Sequence, residues 1–120
     1  MGSFIATYDD YDRAILYHIQ RDAAQSLEDL AKAVNLSRNA VWRRLKRLQD
    51  SGILRARVAL LDAQKVGLGL TIFISISVRT HSKDWADQFS KVIASLPEVQ
   101  SAYRTSGNQD YLIKARVCDV

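Results

Sequence analysis

The first half of the chain shows the spacing of apolar residues that is typical of helices. Apolar residues recur three or four positions apart, and this period predicts helices that each bury one face. Three such stripes follow one another: Tyr11, Ile15, Leu16 and Ile19; then Leu27, Leu30, Ala31 and Val34; then Val41, Leu45 and Leu48. Acids lie where the first helix begins, as the helix dipole favours: Asp9, Asp10 and Asp12. The pattern therefore predicts three short helices.

Polar residues between these stripes predict where the helices begin and end. Ser26 is followed three positions later by an acid, which is close to a capping box. Asn35 tolerates the left-handed conformation that ends a helix, and Ser37 is a good N-cap for the next one. Gly52 is typical of a C-terminal stop. Two helices separated by so short a turn match the helix-turn-helix motif, whose second helix enters the DNA major groove.

The second half changes to an alternating pattern, which predicts β-strands. Residues 72–78 alternate as one strand, and residues 99–105 and 111–117 form two more, joined by the polar loop 106–110. Between them, Ser82 is a predicted N-cap and Pro97 a predicted stop for an amphipathic helix. Its apolar stripe consists of Trp85, Phe89, Val92, Ile93 and Leu96. The order β-α-β-β is the first part of a ferredoxin-like βαββαβ unit.

These elements predict an α+β protein with three segments. Residues 1–54 are expected to form a helix-turn-helix DNA-binding domain, residues 55–69 an extended hinge or wing, and residues 70–120 a ferredoxin-like domain. The last helix and strand of that unit are absent from the sequence, which would leave apolar sheet surface bare and one edge strand unpaired. We therefore expect a fragment of a longer protein; the alternative is a partner chain that covers the sheet.

Basic residues are concentrated in and just after the third predicted helix. The chain has 17 Lys and Arg against 13 Asp and Glu, but residues 38–57 alone hold seven basic residues and a single acid, Asp50. Like charges spaced three and four positions apart repel each other unless something neutralises them. The cluster therefore predicts a nucleic-acid footprint, with a solvated basic helix as the alternative.

Side-chain directions on the third helix separate the candidate contacts with DNA. Taking Val41, Leu45 and Leu48 as the buried direction, the other positions advance by about 100° per residue. Residues in the first turns reach base edges, whereas later cations reach phosphates. The candidates for base reading are Arg38, Asn39, Trp42 and Arg43, and the candidates for phosphate binding are Lys46 and Arg47.

Three other arginines have two interpretations each. Arg44 falls on a flank nearer the core, so it forms either an ion pair, with Glu28 or Asp29, or a phosphate contact. Arg55 and Arg57 either belong to a basic wing on the DNA or are ordinary exposed side chains of an extended segment.

The sequence shows no constellation for catalysis, metal binding or a cofactor. Cys118 is the single cysteine, and neither His18 nor His81 lies at metal-ligand spacing from a second ligand. No glycine-rich phosphate loop or nucleophile elbow is present. The N-terminus lacks the pattern of a signal peptide, and the apolar run at residues 67–78 is too short to cross a membrane. We expect a cytoplasmic protein that is not an enzyme.

From residue 10 onward, a set of motifs in fixed order resembles the Lrp/AsnC (leucine-responsive, feast/famine) family of transcription regulators. The residues that carry the resemblance are DRAIL at 12–16, NLS at 35–37, VWRRLKRL at 41–48, GIL at 52–54, Leu61-Asp62 with Gly67, LPEV at 96–99 and GNQDYL at 107–112. The resemblance implies a winged helix-turn-helix followed by an effector-binding αβ domain. It also implies sheet-to-sheet homodimers or larger assemblies, pseudo-palindromic operators and amino-acid effectors. One departure is Arg57, where the family's wing commonly carries a Tyr.

The resemblance also implies that the loop between the second and third strands takes part in effector binding. The residues concerned are Thr105, Ser106, Gly107, Asp110 and Tyr111. The alternative is that Gly107 and Asp110 only build the hairpin.

Two other functional classes stay open at this level. Sirohaem decarboxylase subunits resemble this two-domain architecture and carry out chemistry in the αβ half. A standalone amino-acid-sensing or oligomerisation module is a third class. Neither alternative requires the basic cluster of residues 38–57.

Overall fold

The computed structural model of the chain describes residues 8–120. Residues 1–7 lie outside the described residues. They belong to the N-terminal segment for which the sequence predicts no signal peptide. The chain divides into two compact units, the first ending at Ala59 and the second running from Leu60 to Val120.

Three helices form the first unit: α1 (Asp10–Arg21), α2 (Leu27–Val34) and α3 (Arg38–Asp50). The starts of α2 and α3 are capped as the sequence predicts, since Ser26 Oγ accepts from Asp29 N at 3.0 Å and Ser37 Oγ accepts from Ala40 N at 3.1 Å. The capping box, however, lies on α1, where Asp9 and Asp12 exchange side-chain to backbone hydrogen bonds, both at 3.0 Å.

Left-handed backbone conformations end α2 and α3. Asn35, with φ of 61°, follows α2, and Gly52, with φ of 81°, follows α3. After Gly52 the Leu54 N–H donates to the Leu48 carbonyl at 3.0 Å, which satisfies a carbonyl at the helix end. The sequence prediction of both stops is confirmed.

The core of the first unit is built from the predicted stripes of all three helices. Its buried apolar residues are Ile15, Ile19, Leu30, Ala31, Val34, Val41, Leu45 and Leu48. The stripe of α1 differs from the prediction at its first position, because Tyr11 is exposed and Asp12 is fully buried. The buried face of α1 therefore begins with a carboxylate.

The second unit is a three-stranded antiparallel sheet with one helix. It consists of β1 (Leu70–Ile76), α4 (Lys83–Ser95), β2 (Val99–Arg104) and β3 (Tyr111–Val117), with the strand order β1-β3-β2. β3 is the central strand, and its Ile113 and Ala115 are buried. This order is that of a ferredoxin-like sheet before its fourth strand, so the predicted α+β class is confirmed.

Two predicted features of the second unit are wrong in detail. β1 ends at Ile76 rather than at residue 78, because Val78 N donates to Asp110 Oδ2 at 2.7 Å instead of to a strand. On α4 the predicted stripe is only partly covered, since Val92 and Leu96 are exposed. Residues 51–69, which include the predicted hinge or wing, contain neither helix nor strand.

Register places the side chains of the sheet on two faces. Ile72 pairs with Ala115, Ile74 with Ile113 and Ile76 with Tyr111. Paired residues share a face of the sheet, so these side chains all lie on one face. Phe73, Tyr103 and Leu112 lie on the opposite face, where Phe73 and Tyr103 are exposed.

Candidate nucleic-acid interface and ligand loop

The outer face of α3 begins directly after a tight turn. Asn35 turns the chain out of α2 and Ser37 caps the N-terminus of α3, so only residues 35–37 separate the two helices. Val41, Leu45 and Leu48 fix the inward face of α3 in the core. The first two turns of the opposite face are therefore presented outward on a rigid support.

Five predicted DNA contacts lie exposed on α3, and within residues 8–120 none of them has a hydrogen bond or ion pair to α1: Arg38, Asn39, Trp42, Arg43 and Lys46. Trp42 is 52% exposed, a large fraction for an indole. Within residues 8–120, neither Arg38 nor Arg43 has an acidic partner within 4.0 Å, while Lys46 lies 3.7 Å from Asp50 on the same helix. An exposed pair at that distance adds little stability, so Lys46 stays accessible to other anions.

Two cavities border this face of α3. One, of about 290 Å³, is lined by Leu27, Arg38, Asn39 and Trp42. The second, of about 340 Å³, is lined by Ala40, Arg43, Arg44 and Arg47. Every predicted contact residue except Lys46 therefore borders one of these two cavities.

Arg44 forms the ion pair that the sequence left as one of two interpretations, but with different partners. Its Nη1 donates to Asp9 Oδ1 and Oδ2, both at 2.8 Å, and to Asp12 Oδ1 at 3.0 Å. The prediction of Glu28 or Asp29 as partner is wrong, because α1, rather than α2, faces this flank of α3. The Arg44 guanidinium also lies 5.4 Å from the centre of the Tyr11 ring, within range of a cation–π contact.

Asp9 is held in its charged form by these contacts. The hydrogen bond from Arg44, together with the backbone N–H of Asp12, lowers the pKa of Asp9 from 3.8 to about 2. The same contact with Asp9 raises the pKa of Arg44. This pair therefore fixes the N-terminus of α1 against α3.

Arg47 has a partner that the sequence analysis missed. Its Nη2 donates to Asp12 Oδ2 at 2.6 Å, although 57% of the Arg47 side chain is exposed. The sequence feature that could have predicted this contact is Asp12, which lies three positions before Ile15 and so falls on the buried face of α1. A fully buried carboxylate requires a cation and hydrogen bonds, and α3 supplies both.

The predicted ligand loop is a closed hairpin whose polar groups largely bond one another. Thr105 N donates to the Asp110 carbonyl at 2.9 Å, and Thr105 Oγ1 donates to the Gln109 carbonyl at 2.6 Å. Gly107 has φ of 108°, a conformation that favours glycine, and Ser106 precedes it in the turn.

Asp110 joins this loop to the connection between β1 and α4. Its Oδ2 accepts from Val78 N at 2.7 Å, and its Oδ1 lies 3.2 Å from His81 Nε2. These contacts give Asp110 a structural role in the hairpin, the alternative that the sequence left open for it.

Tyr111 belongs to an aromatic cluster on the sheet face that α4 covers. Its ring centre lies 5.5 Å from that of Trp85 and 4.7 Å from that of Phe89. A cavity of about 200 Å³ beside this cluster is lined by His81, Ser82, Lys83, Trp85, Ala86, Arg104 and Tyr111. Sequence reasoning did not single out Lys83 or Arg104, since exposed cations at a strand end and a helix start give no distinctive pattern.

Neither a membrane-spanning helix nor a metal-binding cluster is found within residues 8–120. None of the helices within residues 8–120 combines the length and apolar character needed to cross a bilayer. The same residues contain no cluster of three or more His, Cys, Asp or Glu side chains arranged for a metal ion.

A capped helix-turn-helix with outward cations and a separate α/β unit defines a two-domain DNA-binding protein. Residues 8–55 match the family described as "Winged helix-turn-helix DNA-binding", and residues 71–120 match the family described as "Lrp/AsnC ligand binding domain".

Relatives and solved structures agree with this division. The DNA-binding transcriptional activator DecR of Escherichia coli K12 is 46% identical over 112 residues, which are 93% of this chain and 74% of DecR. The crystal structure of an AsnC family transcriptional regulator from Agrobacterium tumefaciens has a TM-score of 0.90 at 43% identity, covering 94% of this chain and 74% of that one. A transcriptional regulator from Neisseria meningitidis, solved as its L-Met complex, has a TM-score of 0.89 at 38% identity, covering 94% and 73%. The chain belongs to the Lrp/AsnC family of DNA-binding transcriptional regulators.

Proposed function

We propose that this regulator binds specific operators through the outward face of α3. Arg38, Asn39, Trp42 and Arg43 read base edges, while Lys46 and Arg47 bind backbone phosphates. The observation that carries the proposal is the placement of Arg38 and Arg43 in the first two turns of a capped helix, exposed and without acidic partners in residues 8–120. Arginine pairs with guanine through two hydrogen bonds and asparagine with adenine, so these side chains suit sequence reading.

We also propose that the chain acts as a homodimer or a larger homo-oligomer on a pseudo-palindromic operator. The exposed sheet face with Phe73 and Tyr103 is the surface through which a second copy packs, because two exposed aromatic rings on one face favour burial. A dimer presents two recognition helices to two half-sites. Sedimentation equilibrium of the wild-type chain and of Phe73→Asp tests this: we expect a dimer or larger species that Phe73→Asp converts to monomer. A monomeric wild-type chain would contradict it.

The effector of this regulator is, in our proposal, an amino acid bound near the loop of residues 105–110. The match to a ligand-binding domain and the L-Met complex of the Neisseria meningitidis regulator support this class of ligand. Ser106 and Gly107 supply backbone N–H groups and a hydroxyl, and Tyr111 supplies an aromatic wall. Thr105, whose N–H and hydroxyl donate to Asp110 and Gln109, shapes the loop around the ligand. Asp110 acts mainly by holding the loop, since both of its carboxylate oxygens already have partners.

Selection of bound sequences from a random duplex pool, with and without each amino acid, tests operator and effector together. We expect enrichment of a sequence with two related half-sites, and a change in its enrichment with at least one amino acid. No enrichment would refute sequence-specific binding, and enrichment insensitive to every amino acid would refute only the effector class.

The enzyme-subunit alternative is less well supported. The relatives at 46% and 42% identity are named as regulators of transcription or of glutamate uptake. Haem-like absorbance of the purified chain would favour the enzyme alternative instead.

A further inference from the structure

Asp12 is the one buried charged side chain among residues 8–120, and each of its oxygens has a donor. Oδ1 accepts from Arg44 Nη1 at 3.0 Å, and Oδ2 accepts from Arg47 Nη2 at 2.6 Å and from Asp9 N at 3.0 Å. A carboxylate that is buried and bonded on both oxygens has a fixed position and direction. Asp12 is therefore a rigid anchor for any side chain that it holds.

Arg44 is shared between Asp9 and Asp12, so Arg44 and Arg47 together balance the charges of these two carboxylates. The two cations differ in exposure: 25% of the Arg44 side chain is exposed, against 57% of Arg47. A guanidinium carries five N–H donors in a planar fork. Arg47 therefore keeps further N–H donors for another anion while its Nη2 is held by Asp12.

The remaining donors of Arg47 border an open depression in the surface beside α3. Arg47 lines the cavity of about 340 Å³ together with Ala40, Arg43 and Arg44. Ala40 leaves room beside the helix, and Arg43 adds a second exposed cation. This combination suits a tetrahedral phosphate, which arginine forks bind through paired hydrogen bonds.

We propose that Asp12 is a positioning residue for DNA binding, which aims the Arg47 guanidinium at a backbone phosphate seated in this cavity. The inference rests on the proposed function of α3. Fixing Arg47 before binding lowers the conformational entropy that a long side chain loses in the complex. Arg47 is thus a preoriented phosphate contact, whereas Lys46 is a mobile one.

The test compares Asp12→Asn, Arg47→Ala and the double variant on a selected operator, using folded protein quantified by circular dichroism. Asp10→Asn is the matched control, since it removes the same charge from the same turn of α1, where Asp10 contacts Arg13 instead of α3. We expect Asp12→Asn to weaken operator binding by roughly threefold to tenfold in the wild-type background and by less than about twofold in the Arg47→Ala background. Asp10→Asn should stay within about twofold of wild type.

Two results would overturn the assignment of Asp12. One is operator binding by Asp12→Asn that equals or exceeds that of wild type; the other is an equal loss in both backgrounds. A wild-type chain that binds no duplex at all would overturn the proposed function as well, which separates the two failures.

Arg47→Lys is a second test of the contact between Asp12 and Arg47. It changes the exposed partner, so its result does not depend on whether Asp12→Asn folds. Lysine keeps the charge but has no fork with which to hold Asp12 and a phosphate at once. We expect Arg47→Lys to lose operator affinity, although less than Arg47→Ala, because lysine keeps the charge but loses the fixed orientation. Wild-type affinity for Arg47→Lys would show that orientation is irrelevant and would refute the proposal.

Discussion

Arg44 and Asp9, 35 positions apart in the sequence, are joined by a forked contact in which Arg44 Nη1 donates to both carboxylate oxygens of Asp9 at 2.8 Å. The cations of α3 therefore differ in whether they have an acidic partner on α1. Arg44 belongs to the protein's own structure, whereas Arg38 and Arg43 face outward. The basic cluster therefore contains one cation that holds α1 against α3 and others that form the surface we propose for DNA binding.

Arg44→Ala should destabilise the first unit. The substitution leaves the fully buried Asp12 with one cation fewer, and removing one partner of a buried ion pair is costly. We expect the free energy of unfolding to fall by about 2–4 kcal/mol. Urea denaturation followed through Trp42 in a Trp85→Phe background reports on this unit, because the chain contains two tryptophans.

Lys46→Ala is the matched control for that measurement, since its pair with Asp50 is exposed. It should change the free energy of unfolding by less than about 0.5 kcal/mol. Equal effects of the two substitutions would contradict a structural role of Arg44.

The stability of the first unit should fall in acid through Asp9. Its pKa is lowered to about 2 in the folded chain, so its contribution to stability is present above the unfolded value near 3.8 and is lost as the pH falls toward 2. Asp9→Asn keeps a capping side chain but has no charge to lose. Urea unfolding at a series of pH values from about 5 to about 2 should therefore give a shallower decline for Asp9→Asn, and parallel curves would show that Asp9 does not contribute.

Arg43→Ala should impair sequence recognition. Arg43 lies in the second turn of α3, exposed and facing away from the core. Its loss should cost about 1–3 kcal/mol on the selected operator and relax preference at one base position. Competition binding against operators mutated at each position measures both quantities. Uniform weakening on every duplex would show that Arg43 contacts only phosphate.

Lys46→Ala should affect affinity without affecting sequence preference. Lys46 lies about one helical turn beyond Trp42 and is exposed. Its one ion pair within residues 8–120 is the weak pair with Asp50. Loss of one phosphate contact should lower the slope of log affinity against log salt by about one. A slope equal to that of wild type would place Lys46 outside the interface.

The local features of the first unit could be predicted from the sequence. The helix caps at Ser26 and Ser37 and the left-handed stop at Asn35 depend on residues close in sequence, and each is confirmed. The three apolar stripes likewise define the core because helical periodicity fixes which side chains share a face.

The contacts between α1 and α3 could not be predicted in the same way. Which acid meets Arg44 depends on how the two helices cross, and periodicity carries no information on that crossing. The one indication in the sequence was Asp12, an acid at a position of the buried stripe. Tyr11 has the spacing of a core residue but is exposed.

In the second unit, the strands and the N-cap Ser82 followed from local pattern, but the end of β1 did not. The strand stops where the Asp110 side chain takes the Val78 N–H, a contact between residues 32 positions apart in the sequence. The same contact gives Asp110 its structural role in the predicted ligand loop.

The central claim, that the outward face of α3 binds duplex DNA, is tested most directly by the salt dependence of binding. Equilibrium titrations of the wild-type chain and of an Arg38→Ala/Arg43→Ala/Lys46→Ala variant on the selected operator, between about 50 and 200 mM salt, measure it. We predict that log affinity of the wild type falls linearly and steeply with log salt, and that the variant binds more weakly with a smaller slope. Absence of duplex binding by the wild type, or an affinity and slope unchanged in the variant, would contradict the account.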